Sequence, residues 1–309
     1  MKVAFFGTSD RSMPIVESLA SNFGLVLCVT KADTLVGREK KVRETAVKLW
    51  SKKHKVEYLC LESIKTSANK VIQALRDKDI ELCIVTDFSF IIPKEIIETP
   101  KYGFINIHFS LLPQLRGASP IQHAILQGLT ETGITYYLLD EKMDTGDILY
   151  QIRYPLTQRE TSGYLYEKLF SLASENLAQV INLYIKGKIT PQPQDHQQAS
   201  YCYSETHPLT TYIFKEDARI NWKEDPIYIE RKIRAFYPWP IAWTTLGELS
   251  NNHKIASLIH LKTSAYPNLR VKITSAELEH EKLRIKKLQV EGKNEVDWMS
   301  FVNGYAVRM

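Results

Sequence analysis

Lys2-Val3-Ala4-Phe5-Phe6-Gly7-Thr8-Ser9-Asp10 is an apolar run that breaks at a glycine into polar residues. Consecutive apolar positions without polar alternation fit a strand covered on both faces, and the break after them fits a turn into a helix. Runs of the same kind follow at Leu25–Val29, Leu82–Val85 and Phe104–Ile107, with helical periodicity between them around Ala46–Leu49 and Val71–Leu75. The alternation predicts a mostly parallel sheet with helices on both faces, in which ligands gather beyond the carboxyl ends of the strands. The opening residues read as a buried strand rather than as the charged leader and cleavage site of a signal peptide, so the cytoplasm is the expected location.

Several function classes are disfavoured at once. The first turn lacks the second and third glycines that let a backbone approach a dinucleotide pyrophosphate, and no G-x-x-x-x-G-K-[ST] occurs to cradle phosphates. The four cysteines, Cys28, Cys60, Cys83 and Cys202, form no C-x-x-C pair, so structural free thiols are expected and no zinc site. No run of about 18 apolar residues is present to span a bilayer. A formal net charge of +5 permits a polyanionic partner without requiring one.

With 309 residues, two domains are expected, and a change of composition marks where they divide. An amphipathic stretch from Ser162 to about Tyr184 predicts one long helix closing the first domain, residues 1–188. Thr190-Pro191-Gln192-Pro193-Gln194-Asp195-His196-Gln197-Gln198 holds little that could enter a core, so 189–205 is expected to be an extended linker stiffened by its prolines. In 206–309, Asp225–Phe236 predicts a short helix. Alternating runs at Lys254–Leu261, Leu269–Ile273 and Lys282–Leu288 predict a small antiparallel sheet or barrel. From Tyr201 onward 16 Lys and Arg face 13 Asp and Glu, which places about +3 of the charge there.

The densest polar cluster, Asn106-Ile107-His108-Phe109-Ser110-Leu111-Leu112-Pro113, follows a predicted central strand. Alternate residues of a strand share a face, so Asn106 and His108 should point the same way at its carboxyl end. A histidine there can exchange a proton near neutral pH, and an amide can donate to a developing oxyanion. The plainer alternative is that both satisfy backbone groups at a strand end. Met143-Asp144-Thr145-Gly146-Asp147 adds carboxylates from a turn between Ile134–Leu139 and Ile148–Tyr150. Asn, His and Asp from the strand ends of one sheet suit acyl transfer by direct attack. No G-x-S-x-G elbow or recognisable cysteine nucleophile competes with it.

These segments, with Arg116-Gly117-Ala118-Ser119-Pro120-Ile121-Gln122 between them, resemble in order and spacing the signature of folate-dependent formyltransferases. Ala218-Arg219-Ile220-Asn221-Trp222, Ile233–Pro240 and the end from Glu291 to Tyr305 are similar to the members of that family acting on methionyl-tRNA. The resemblance implies a Rossmann-like sheet domain followed by a small, OB-like β-barrel, with 10-formyltetrahydrofolate as co-substrate and initiator methionyl-tRNA as acceptor. Neither a metal nor a membrane is implied. It further implies that Asn106, His108 and Asp144 are catalytic, that Ser110, Leu111, Leu112 and Pro113 line the folate site, and that Arg38, Lys40 and Lys41 belong to a basic loop reaching the tRNA.

Two stretches depart from the family pattern. Ser9-Asp10-Arg11 stands where Pro-x-Phe is usual, and Asp87-Phe88-Ser89 where Ala-Tyr-Gly is usual, beside the expected donor pocket. Transfer to another amine, such as an amino sugar nucleotide or glycinamide ribonucleotide, hydrolysis of the donor, and a tRNA-binding module without activity are the competing functions. A basic C-terminal barrel and the Arg234–Pro240 motif have an obvious use in holding tRNA and none for a small acceptor, so the second domain is expected to separate the two.

Overall fold

In the computed structural model, which describes residues 1–36, 41–250, 252, 253, 255 and 266–305, the opening run is strand β1 (Lys2–Phe6). It is followed by helix α1 (Met13–Asn22), β2 (Gly24–Lys31), the short strands β3 (Thr34–Val36) and β4 (Lys41–Arg43), α2 (Ala46–His54), β5 (Glu57–Leu61) and α3 (Ala68–Asp77). Then come β6 (Leu82–Val85), α4 (Lys94–Ile97), β7 (Phe104–His108), α5 (Pro120–Leu126), β8 (Glu131–Leu138), β9 (Ile148–Pro155) and α6 (Ser162–Ile185). Seven strands form one sheet in the order β5-β2-β1-β6-β7-β8-β9. The pairings from β5 to β7 are parallel and β7 meets β8 antiparallel.

The chain divides into two compact units. The first comprises Met1–Arg116, Thr132–Tyr154 and Tyr166–Tyr201; the second comprises Gly117–Glu131, Pro155–Leu165 and the residues from Cys202 onward. In the first unit Ala4, Phe6, Leu27, Val29, Cys83, Val85 and Phe104 pack with Val71 and Leu75 of α3 and with Ile96 and Ile97 of α4. The alternate residues Val3, Phe5 and Ile84 are also fully buried. Both faces of the central strands are therefore covered, which is why those strands read as unbroken apolar runs. Each large side chain so buried contributes roughly 1.5–3 kcal/mol. Residues 190–201 lie on this unit, through the bridges Ile148–Gln192 and Arg116–Tyr201, and include a single 3-10 turn at His196–Gln198.

In the second unit α5 packs against helix α7 (Pro226–Ala235), and α7 against a sheet of β10 (Trp243–Thr245), β11 (Arg270–Glu279), β12 (Lys282–Val290) and β13 (Glu295–Asp297). The helices α8 (Leu246–Leu249) and α9 (Trp298–Tyr305) flank it. The sheet is antiparallel throughout and its inner face, with Val271, Ile273, Leu283, Ile285 and Leu288, buries against Ile229 and Ile233 of α7. Of the expected strand Lys254–Leu261 only Ile255 lies among the described residues, bridged to Leu283.

Asp217 organises the start of this unit. It accepts from Ser204 Oγ at 2.8 Å, Thr206 N at 2.8 Å, Thr206 Oγ1 at 2.6 Å and Phe214 N at 2.7 Å. Burial pushes its carboxyl upward, but these donors outweigh burial and hold it below the usual carboxylate range. The stabilisation is therefore complete above the unfolded value of about 3.9 and is lost as pH falls through the lower folded value. Asp217→Asn should destabilise the protein at pH 7 by about 1–3 kcal/mol and flatten its loss of stability on acidification. Denaturant melts at pH 7 and in acid measure both, and an unchanged midpoint at pH 7 would refute the assignment.

Candidate active site

Strand β7 ends at the site. Its register with β8 sets Asn106 opposite Tyr137 and His108 opposite Thr135, so the two candidate residues share the face that their spacing predicts. Asp144 arrives from the turn between β8 and β9, in the left-handed region at φ +55°, which aspartate and asparagine adopt more readily than most residues. Within the first unit these side chains form one connected set. Asn106 Nδ2 donates to the Tyr137 hydroxyl at 2.7 Å, and that hydroxyl donates to Asp144 Oδ1 at 2.7 Å. Asp144 Oδ2 lies 3.7 Å from His108 Nδ1, and both side chains are almost buried, at 6% exposure for His108 and 11% for Asp144.

The second ring nitrogen, His108 Nε2, is 2.9 Å from the carbonyl of Leu115. A carbonyl only accepts, so Nε2 carries a hydrogen and the proton that His108 can gain or lose sits at Nδ1, facing the carboxylate. Between the two carboxylates of the turn, it is Asp144 that the geometry brings to the histidine.

Backbone contacts lock the turn. Leu138 N donates to Asp147 O at 2.9 Å, and Asp140 receives Lys142 N and Thr145 Oγ1. Gly146 is required there because a Cβ would stand 1.7 Å from the Leu138 carbonyl oxygen. Gln194 donates from Nε2 to the carbonyls of Asp144 and Gly146, at 3.0 and 2.7 Å. Its Oε1 accepts from Arg116 Nη2 at 2.6 Å and Nε at 3.3 Å. Arg116 is only 2% exposed, and its other partners are His196 Nδ1 and the Tyr201 hydroxyl. Residues of the expected linker 189–205 thus supply partners of a buried guanidinium and a clamp on the turn that bears Asp144.

The loop after β7 is held from β8 and β9. Thr135 Oγ1 donates to Ser110 O at 2.7 Å and accepts from Leu112 N, while Gln151 Nε2 donates to Leu112 O at 2.9 Å. Of the expected folate-lining residues, Ser110 and Leu112 are buried, with the Ser110 hydroxyl donating to Gln114 O. Leu111 and Pro113 are half-exposed. Asp87 is exposed at φ +50°, and Phe88 packs edge-on against Phe6 and Phe90. Arg11 lays its guanidinium 3.7 Å from the Tyr166 ring centre.

Arg38 and Lys40 lie outside the described residues; Lys41 begins β4, its side chain undescribed. Arg234 forms a two-bond pair with Glu230 at 2.7 and 2.9 Å and also donates to the Glu160 carbonyl, so its guanidinium is used inside the second unit. Tyr137, Thr135, Gln151 and Gln194 escaped the sequence reading. Among the described residues no group of three or more His, Cys, Asp or Glu could hold a metal ion, and no helix is long and apolar enough to cross a membrane.

Residues 1–181 match the formyl transferase family model, and residues 212–306 match the model of the formyl transferase C-terminal domain. The chain belongs to the formyl transferase family and is an enzyme that transfers formyl groups. Within that family it is 33% identical to the methionyl-tRNA formyltransferase of Bacillus cytotoxicus, over 98% of this chain and 96% of that protein. Two solved structures share the fold at low identity. One is a methionyl-tRNA formyltransferase from Clostridium thermocellum (18% identity, TM-score 0.57, 94% of this chain and 98% of that one). The other is an N-formyltransferase from Helicobacter canadensis, solved with folinic acid and dTDP-3-aminofucose (17%, TM-score 0.60, 96% and 100%). A fold likeness over the whole chain thus extends to an enzyme solved with an amino sugar nucleotide.

Proposed function

We propose that this chain transfers the formyl group of 10-formyltetrahydrofolate to the free amine of methionyl initiator tRNA, in the cytoplasm. The observation that carries the chemistry is the connected set Asn106, Tyr137, Asp144 and His108 at a central strand end. The choice of acceptor is supported by the full-length identity to a methionyl-tRNA formyltransferase. The neutral amine attacks the formyl carbon directly, and the carbonyl oxygen becomes an oxyanion. Asn106 has one amide hydrogen on Tyr137 and donates the other to that oxygen, which in related sites is worth about 3–4 kcal/mol. The His108 imidazolium, balanced by Asp144, adds positive charge nearby. Proton movement from the incoming amine toward the departing N10 of the folate uses the same histidine–carboxylate pair.

In this proposal Leu111 and Pro113 meet the folate directly, while the buried Ser110 and Leu112 shape the loop. Residues 1–188 carry the chemistry, 189–205 join it to the second part, and 206–309 hold the tRNA. Arg38, Lys40 and Lys41 bind its acceptor stem.

The test supplies the donor with charged initiator tRNA, with an amino sugar nucleotide, with glycinamide ribonucleotide, or alone. N-formylmethionine on the tRNA is the expected product; turnover only with a small amine, or only of the donor, would overturn the proposal. In the same assay Arg38→Ala should weaken the use of tRNA by about 10-fold, because a guanidinium can bind a phosphate through two charged hydrogen bonds. Folate dependence should not change, and the salt slope of tRNA binding should be shallower by about one contact. Arg38→Lys should recover only part of the loss. A defect confined to the folate would move the tRNA contact elsewhere.

A further inference from the structure

Tyr137 faces Asn106 directly across the β7–β8 ladder, and its side chain is fully buried. Its hydroxyl stands 2.7 Å from Asn106 Nδ2 and 2.7 Å from Asp144 Oδ1. Burial, and then the neighbouring Asp144 charge, hold this phenol well above the usual tyrosine range, so it keeps its proton. An ionised carboxylate only accepts, so that proton is directed at Asp144. The phenol oxygen then has only lone pairs to offer Asn106, which must answer with its NH2 rather than its carbonyl. One hydroxyl thereby decides which way the Asn106 amide faces and which oxygen of Asp144 remains for His108.

We propose that Tyr137 is a positioning residue for formyl transfer, a buried hydroxyl that fixes the amide of Asn106 and the carboxylate of Asp144 relative to each other. The proposal rests on the assignment of Asn106, His108 and Asp144 to the reaction. Phenylalanine keeps the ring and its packing but frees both neighbours to rotate, and misplacement of reacting groups by about 1 Å can cost up to about 10²-fold.

The experiment is a double-mutant cycle on the full chain. Tyr137→Phe should lower kcat by about 10- to 100-fold with both KM values within about 2-fold. In an Asp144→Asn background the same change should cost no more than about 3-fold, because the carboxylate that Tyr137 holds in place for His108 is no longer there. A residue that served only the core would add its full penalty in both backgrounds. If Asp144→Asn is slow while Tyr137→Phe turns over normally, or if the two losses multiply in full, the positioning role fails and the assigned trio stands. If Asp144→Asn matches the wild type, the trio fails and Tyr137 with it. Should Tyr137→Phe not fold, the Tyr137 hydroxyl proton can be followed by NMR in the parent protein. It should exchange slowly and shift in Asp144→Asn, and indifference to that change would overturn the proposal.

Discussion

His108→Ala, Asn106→Ala and Asp144→Asn are each expected to slow formylation of methionyl-tRNA about 100-fold or more while leaving a folded protein. The third variant is the most telling. Asp144 occupies a left-handed backbone position at φ +55°, one that asparagine tolerates, so the turn should survive the change. The amide oxygen can still accept from Tyr137. What disappears is the negative charge 3.7 Å from His108 Nδ1, and with it the partner of an imidazolium. Transfer of labelled formyl from donor to tRNA, with melting temperature as the control for folding, separates chemistry from stability. Undiminished turnover in His108→Ala or Asn106→Ala would remove that residue from the mechanism. An active Asp144→Asn would move the search to Asp147.

Gln194→Ala is expected to cost about 2–4 kcal/mol of stability and to slow turnover about 10-fold or more. The glutamine makes four hydrogen bonds at once, two received from the Arg116 guanidinium and two donated to the Asp144 and Gly146 carbonyls. Removing it leaves a buried cation short of partners, which costs more than an ordinary lost hydrogen bond. It also releases the turn that carries Asp144, the carboxylate proposed to take part in the reaction. Arg116→Met should restore much of the lost stability in the Gln194→Ala background without restoring turnover, since it removes the stranded charge and not the loose turn. Chemical denaturation and steady-state rates of the two single variants and the double variant provide the check. Full activity in Gln194→Ala would show that the backbone of the turn holds itself.

What could be read beforehand follows from how each feature is encoded. Strands β1, β2, β6 and β7 are covered on both faces and therefore stand out as continuous apolar runs. Asn106 and His108 sit two apart, a spacing that a strand turns into a shared face. Tyr137 carries no comparable mark. Within Ile134–Leu139 it reads as one more large core side chain, and its importance depends on a register between residues 31 positions apart. Gln194 was hidden for a similar reason, since a polar residue in a stretch with little that could enter a core suggests solvent until a buried arginine 78 positions away is seen to need it. The same holds for the course of the chain. Gly117–Glu131 and Pro155–Leu165 cluster with the residues beyond Cys202, an interleaving that composition along the sequence does not mark. Short β10 escaped because three residues carry too little periodicity.

On the proposed roles of Asn106 and Tyr137, their pairing ties activity to correct strand alignment. A slip of one residue between β7 and β8 would turn Tyr137 to the opposite face and carry its hydroxyl away from both neighbours. Copies misaligned in this way should turn over at least about 10-fold more slowly than correctly paired ones. Zippering the antiparallel edge of an otherwise parallel sheet and arming the enzyme are then a single event, so recovered turnover during refolding should report directly on when that edge has closed.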